Sequence, residues 1–112
     1  MGANLKMPLT RDFKETILAR VKDDPKFRES LLSEAMNSFL SGDVETGKIV
    51  LRDYIKATVG FEELAKVTHK SPKSLMRMLS HQGNPQARNL FSIVAYLQEK
   101  DGFHLKVSPV HS

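Results

Sequence analysis

Asp24-Pro25 stands directly before an apolar stripe of Phe27, Leu31, Leu32, Ala35, Met36, Phe39 and Leu40. The spacing i, i+4, i+5 repeats over about four turns, and only a helix places such residues on one face. Aspartate suits the N-cap and proline the first helical position, so the helix starts at Pro25. Ser41-Gly42 ends it. A stripe this wide must be buried, so the rest of the chain has to supply helices that cover it.

The same period recurs on both sides. Thr10 can cap a helix over 10–22, with Phe13, Ile17, Leu18 and Val21 on one face. Asp43 can cap a third helix, with Val44, Leu51, Tyr54, Ile55 and Thr58 inward and Gly60 as terminator. A short fourth helix over 61–68 turns Leu64 and Ala65 inward. Ser71-Pro72 is a second cap-and-proline pair and opens a fifth helix over 72–79. "SHQGNPQ" is a loop. A sixth helix over 86–100 buries Leu90, Phe91, Val94 and Leu97, with Gly102 suited to the position just past its end. Only "FHLKV" alternates with period two, which predicts a short C-terminal β-strand with Phe103, Leu105 and Val107 on one face. One strand has no partner in this chain; it pairs with another copy or lies on the core. The fold expected is all-α, with five to six helices: a helical extension over 1–42 packed on a domain over 43–112.

With 112 residues, 40% hydrophobic and 27% charged, the chain suits one domain with its own core. No apolar run approaches the roughly 18 residues of a membrane span. The N-terminus lacks the apolar core of a secretory signal. The chain has no cysteine, which removes disulfides and thiol nucleophiles and fits a reducing cytoplasm. His69, His81, His104 and His111 are not at metal-ligand spacing, and no nucleophile elbow or phosphate loop occurs. "GDVETGK" lacks the spacing of a nucleotide loop and reads as capping of the third helix. Neither an enzyme nor a cofactor is expected.

The net charge of +4 is localised. Between Glu63 and Glu99 there is no acid, while Lys66, Lys70, Lys73, Arg77 and Arg88 fall in that window. The remainder has twelve basic and thirteen acidic residues. Concentrated positive charge points to an anionic partner, against the plainer reading of a basic solvated surface. With Lys73 set at zero on the fifth helix, Arg77 falls at about 40°, Ser80 at about −20° and Met76 at about −60°, while Leu75, Met78 and Leu79 fall on the far side. Two long cations, a hydroxyl and one apolar side chain suit base edges in a DNA major groove. The first turn of this helix also presents N–H groups that attract phosphate. A short helix, a tight turn and this second helix make a helix-turn-helix, whose second helix enters the groove.

The segment "GFEELAKVTHKSPKSLMRMLSHQGNPQARNLFSIVAYLQEKDGFHLKV", residues 60–107, resembles the λ-repressor-like (Xre) helix-turn-helix family, and within it the HigA-type addiction-module antidote proteins. The matching features are Gly60, the "ELA" of Glu63 to Ala65, the "S..SL.R.LS" of Ser71 to Ser80, the "GNP" of Gly83 to Pro85, the apolar last helix with its short strand, and the upstream "SGD". Residues 1–40 match only in being helical. Two departures stand out. The family's turn has glycine and then an apolar residue where this chain has His69 and Lys70. Histidine tolerates a positive φ, and Lys70 is then expected to point outward. The family also often has an aromatic where Met76 stands.

The resemblance implies a prokaryotic, cytoplasmic transcription regulator that binds double-stranded DNA at a palindromic operator as a homodimer, often in its own promoter. It also implies an antitoxin that neutralises a RelE-like toxin. Base contacts fall to Lys73, Met76, Arg77 and Ser80. Phosphate contacts fall to Lys66, Lys70, Ser71, Ser74, His81, Gln82 and Arg88. The alternative is chiefly a toxin-neutralising, protein-interaction module with DNA binding secondary, because a minimal DNA-binding domain does not need the N-terminal helices. RNA is the poorer partner, since the basic window holds few aromatic residues for stacking.

Overall fold

The computed structural model describes residues 11–111, without the side chains of residues 11–14 and 17. The expected Thr10 cap lies outside these described residues, and the expected inward side chains of Phe13 and Ile17 are among those left out. Six helices follow one another: α1 (Arg11–Asp23), α2 (Pro25–Leu40), α3 (Val44–Ala57), α4 (Gly60–Thr68), α5 (Pro72–Met78) and α6 (Ala87–Asp101). Three of them, α2, α3 and α5, start where the sequence offers a capping oxygen. Asp24 Oδ1 accepts from Lys26 N at 3.1 Å and Phe27 N at 3.2 Å. Asp43 Oδ1 accepts from Thr46 N at 3.1 Å, and Ser71 Oγ from Ser74 N at 3.0 Å. Each such cap contributes about 1 kcal/mol. Gly60 is not the end of α3, which is capped at Thr58; it opens α4.

The core centres on α3. Leu51, Tyr54 and Ile55 are fully buried against Leu32 and Ala35 of α2, Leu64 of α4, Leu75 of α5, Leu79 just past it, and Ile93 and Leu97 of α6. Helix α2 therefore shares one apolar cluster with the C-terminal helices. Each fully buried leucine contributes roughly 1.5–3 kcal/mol. A polar tie runs through this packing. Tyr54 OH donates to Asp101 Oδ2 at the end of α6. Burial, and then that carboxylate, pushes the Tyr54 phenol far up, so it remains a neutral donor. Arg28 Nε faces Asp101 Oδ1 at 3.5 Å, an ion pair without a hydrogen bond. Arg28 Nη1 donates to the carbonyls of Val21 at 3.0 Å and Lys22 at 2.9 Å, which closes the end of α1. Arg20 stacks over the Phe27 ring at 4.7 Å and joins α1 to α2.

Three residues expected inside are exposed: Leu40 (64%), Val44 (43%) and Phe91 (55%). Leu40 and Val44 are the last and first residues of α2 and α3, on the turn between them. In α6 the buried arc is Leu90, Ile93, Val94 and Leu97, at i, i+3, i+4 and i+7; Phe91 lies about 100° away from Leu90.

The expected C-terminal strand does not form. No strand occurs among the described residues, so residues 103–107 have no ladder to join. They form irregular chain tied back to α6 instead. Phe103 N donates to Gln98 O at 3.2 Å, and Leu105 N donates to Gln98 Oε1 at 2.7 Å. Phe103 and Leu105 pack on the core, while His104, Lys106 and Val107 face solvent. Leu40, Phe91, Val107 and Val110 border one groove between α2, α6 and this tail.

The turn from α4 to α5 departs from ordinary backbone at one residue. His69 caps α4 with φ 59° and ψ 33°, a left-handed conformation. It is the only non-glycine with positive φ among the described residues. An L residue there costs roughly 1–2 kcal/mol, and glycine's extra chain entropy about 0.5–1. His69→Gly should therefore stabilise the protein by about 0.5–1 kcal/mol, whereas His69→Val should destabilise it by about 1–3 kcal/mol. Urea unfolding midpoints measure both; identical midpoints for the two variants would contradict the left-handed turn.

Candidate nucleic-acid interface

Helix α5 is only seven residues long, and its two faces differ sharply. Leu75 and Leu79 are fully buried and Met78 half-buried, so the back is fixed in the core. Lys73, Ser74, Met76 (41%) and Arg77 face solvent. Helix α4 packs beside it through buried Leu64 and Ala65, and Thr68 Oγ1 donates back to Leu64 O at 2.8 Å. At the N-terminus the Ser71 hydroxyl oxygen is already bonded to Ser74 N, so one first-turn N–H group is occupied. The Ser71 hydroxyl keeps its proton for an external acceptor.

The C-terminal end is held from α3. Lys48 is buried, at 1% exposure. Its Nζ donates to Gly83 O at 2.8 Å, to Ser80 O at 2.9 Å and to His81 O at 3.3 Å. It also meets Glu45 Oε2 at 3.0 Å. A lysine has three N–H donors, so four oxygens saturate it. Arg52 Nη1 adds a longer bond to Leu79 O at 3.4 Å. Gly83 lies against the helix end so closely that a Cβ there would run into the carbonyls of Arg77 and Met78.

Ser80 lies beyond the helix end, where the helical projection that set it beside Lys73 no longer applies. Its hydroxyl donates to Arg77 O at 2.7 Å, leaving the oxygen as an acceptor. His81 is exposed, and its Nδ1 lies 3.0 Å from Glu45 Oε1. The hydrogen bond from Lys48, and to a smaller extent that from His81, holds the Glu45 carboxyl below its usual range. The stretch that is free of acid in sequence therefore has Glu45 beside it in space, and Glu63, just before it, accepts from Tyr96 OH within it. Of the five cations in that stretch, none forms an ion pair within 4.0 Å of a described acid. Lys73 and Arg77 are exposed on α5, Lys66 on α4 and Arg88 in the first turn of α6. Lys70, expected to point outward, is half-buried in the turn; Gln82 is exposed.

In the sequence Lys48 reads only as part of a capping segment and Gly83 only as part of the family-like "GNP"; neither points to this clamp. The Glu45–Lys48 spacing of three hints at a pair on one helix face, but nothing local says that the lysine is buried or reaches residues 80–83. The chain matches no protein-family model, no curated protein and no solved structure.

The contact at Gly83 gives a direct test. Gly83→Ala forces a Cβ against two backbone carbonyls and should cost about 1–3 kcal/mol, read as a lower urea midpoint. A variant as stable as the parent would mean that the loop does not close on the end of α5.

Proposed function

We propose that this chain is a sequence-specific DNA-binding transcription regulator that acts as a dimer on a palindromic operator. One observation carries the reading: α5 exposes Lys73, Met76 and Arg77, its two cations without an ion-pair partner among the described residues, on a helix whose back is locked by buried Leu75 and Leu79. The resemblance of residues 60–107 to the Xre helix-turn-helix family supports it. Cations with no described acid beside them, on a seven-residue helix with a buried back, are ready for base edges. Lysine and arginine donate to guanine O6 and N7, and Met76 can touch a thymine methyl. Ser80 would accept from an exocyclic amine. Lys66, Lys70, Ser71, Ser74, His81, Gln82 and Arg88 would hold the flanking phosphates. Phosphate attraction alone gives Kd values of about 10⁻⁴–10⁻⁶ M, and base reading is needed to reach about 10⁻⁸–10⁻¹¹ M. The setting is a prokaryotic cytoplasm, with the chain's own promoter as the target.

A second reading has its own observation. Leu40, Phe91, Val107 and Val110 leave an apolar groove open on the α2–α6–tail side. Contiguous exposed apolar surface marks protein contacts. A second copy there would give the two-fold dimer that a palindrome requires. A RelE-like toxin there would give the antitoxin role, with DNA binding secondary.

Selection of bound duplexes from the chain's own upstream region tests the first reading: enrichment at moderate salt is expected, and none would contradict it. Arg77→Ala should lose about 1–3 kcal/mol on the selected site and relax preference at one base. An equal loss on random DNA would make Arg77 a phosphate contact instead. Phe91→Asp should shift the protein from dimer to monomer in sedimentation. A dimer that survives that change places the contact elsewhere.

A further inference from the structure

We infer that Lys48 is a positioning residue for sequence discrimination: its buried ammonium sets the register of α5 against the duplex without touching DNA. The inference rests on the DNA-binding reading and assigns within it a role to a residue that no charge count singles out. Lys48 Nζ binds the carbonyls of Ser80, His81 and Gly83, all within the stretch that leaves the end of α5. It is anchored in turn on α3, whose Leu51, Tyr54 and Ile55 are fully buried in the core. Arg77 lies one residue before the end of α5, so its backbone sits next to the segment that Lys48 holds. The Arg77 carbonyl is itself clasped, by Ser80 N at 3.1 Å and Ser80 Oγ at 2.7 Å. Ser80 is therefore held on both sides, by Lys48 through its carbonyl and by Arg77 through its N–H and hydroxyl.

Base reading and phosphate attraction depend differently on this clamp. A bidentate base contact needs its side chain placed within about 0.5 Å. Attraction between a cation and the phosphate backbone has no such requirement. At 1% exposure, and with its N–H groups spent on carbonyls and Glu45, Lys48 has no donor to give a phosphate. Loss of its clamp should therefore weaken the selected site selectively. Non-specific binding, and the number of counterions released, should stay the same.

The test compares wild type, Lys48→Met and Lys48→Arg on two probes: a duplex enriched from a random pool by the wild-type protein, and the unselected pool. Binding is measured across a salt series, at a temperature where circular dichroism shows each variant folded. Lys48→Met removes the donors at nearly constant length. It should bind the enriched duplex about tenfold more weakly or worse, the scale of one lost base contact. Binding to the pool should stay within about twofold, with an unchanged salt slope. Lys48→Arg keeps the charge, but its planar fork cannot converge on the same carbonyls. It should show a smaller loss of the same kind, and it decides the matter if Lys48→Met does not fold. A folded variant that keeps the wild-type ratio of enriched to pool binding overturns the inference. So does an equal loss on both probes with a shallower salt slope, which would make Lys48 a phosphate contact. A wild-type protein that enriches no duplex removes the DNA-binding reading itself, a separate outcome.

Discussion

The position of α5 depends on one ammonium group held away from water. An isolated ion of this size costs several kcal/mol to bury, and Lys48 offsets that with three carbonyls and the Glu45 carboxylate. Taking the group away would leave up to three carbonyls short of a donor, each at about 1–3 kcal/mol where water cannot reach. The arrangement matters because α5 cannot hold itself. Isolated helices shorter than about 12–15 residues are marginal in water, and α5 has seven. Its geometry is imposed from outside: by the left-handed His69 and the Ser71 cap at one end, by Leu75 and Leu79 behind, and by Lys48, Arg52 and Gly83 at the other end.

This divides the chain's positive charge into two kinds. Lys48 is internal and spent on structure. Lys73 and Arg77 are external, four residues apart on one short helix, with no acid within 4.0 Å of them among the described residues. Their mutual repulsion costs only roughly 0.2–0.5 kcal/mol, which the buried back of the helix outweighs many times. A second division separates surfaces. The charged face belongs to α5 and its flanks, and the apolar groove to α2, α6 and the C-terminal tail. The two readings proposed above therefore call on different residues and can hold together in one molecule.

Much of the fold was legible because its signals are local. A capping oxygen bonds within three residues of itself, so Asp24, Asp43 and Ser71 mark helix starts in the sequence as they do in space. The apolar back of α5 followed from angle alone. The left-handed turn at His69 was legible only through the resemblance, which has glycine there; the histidine itself merely tolerates that backbone. What failed was non-local. Period two in residues 103–107 reports alternate burial, which the tail does show up to Lys106, but a strand needs a neighbour and none occurs among the described residues. Phe91 was misplaced because hydrophobicity does not say which of two adjacent arcs of α6 meets the core. Lys48 went unread because its partners lie 32 to 35 residues away. Ser80 was assigned to the front of α5 by extending a helical projection past the residue where the helix stops.

The central claim is that the solvent face of α5 meets DNA. Backbone amide chemical shifts recorded while a duplex selected by the protein is added test it most directly. The account predicts that the perturbed amides concentrate at Ser71 to Arg77 and in the loop through Gly83, with those of α2 and the α6–tail groove little changed. Perturbations confined to that groove, or none at all at a duplex concentration well above that of the protein, would contradict it.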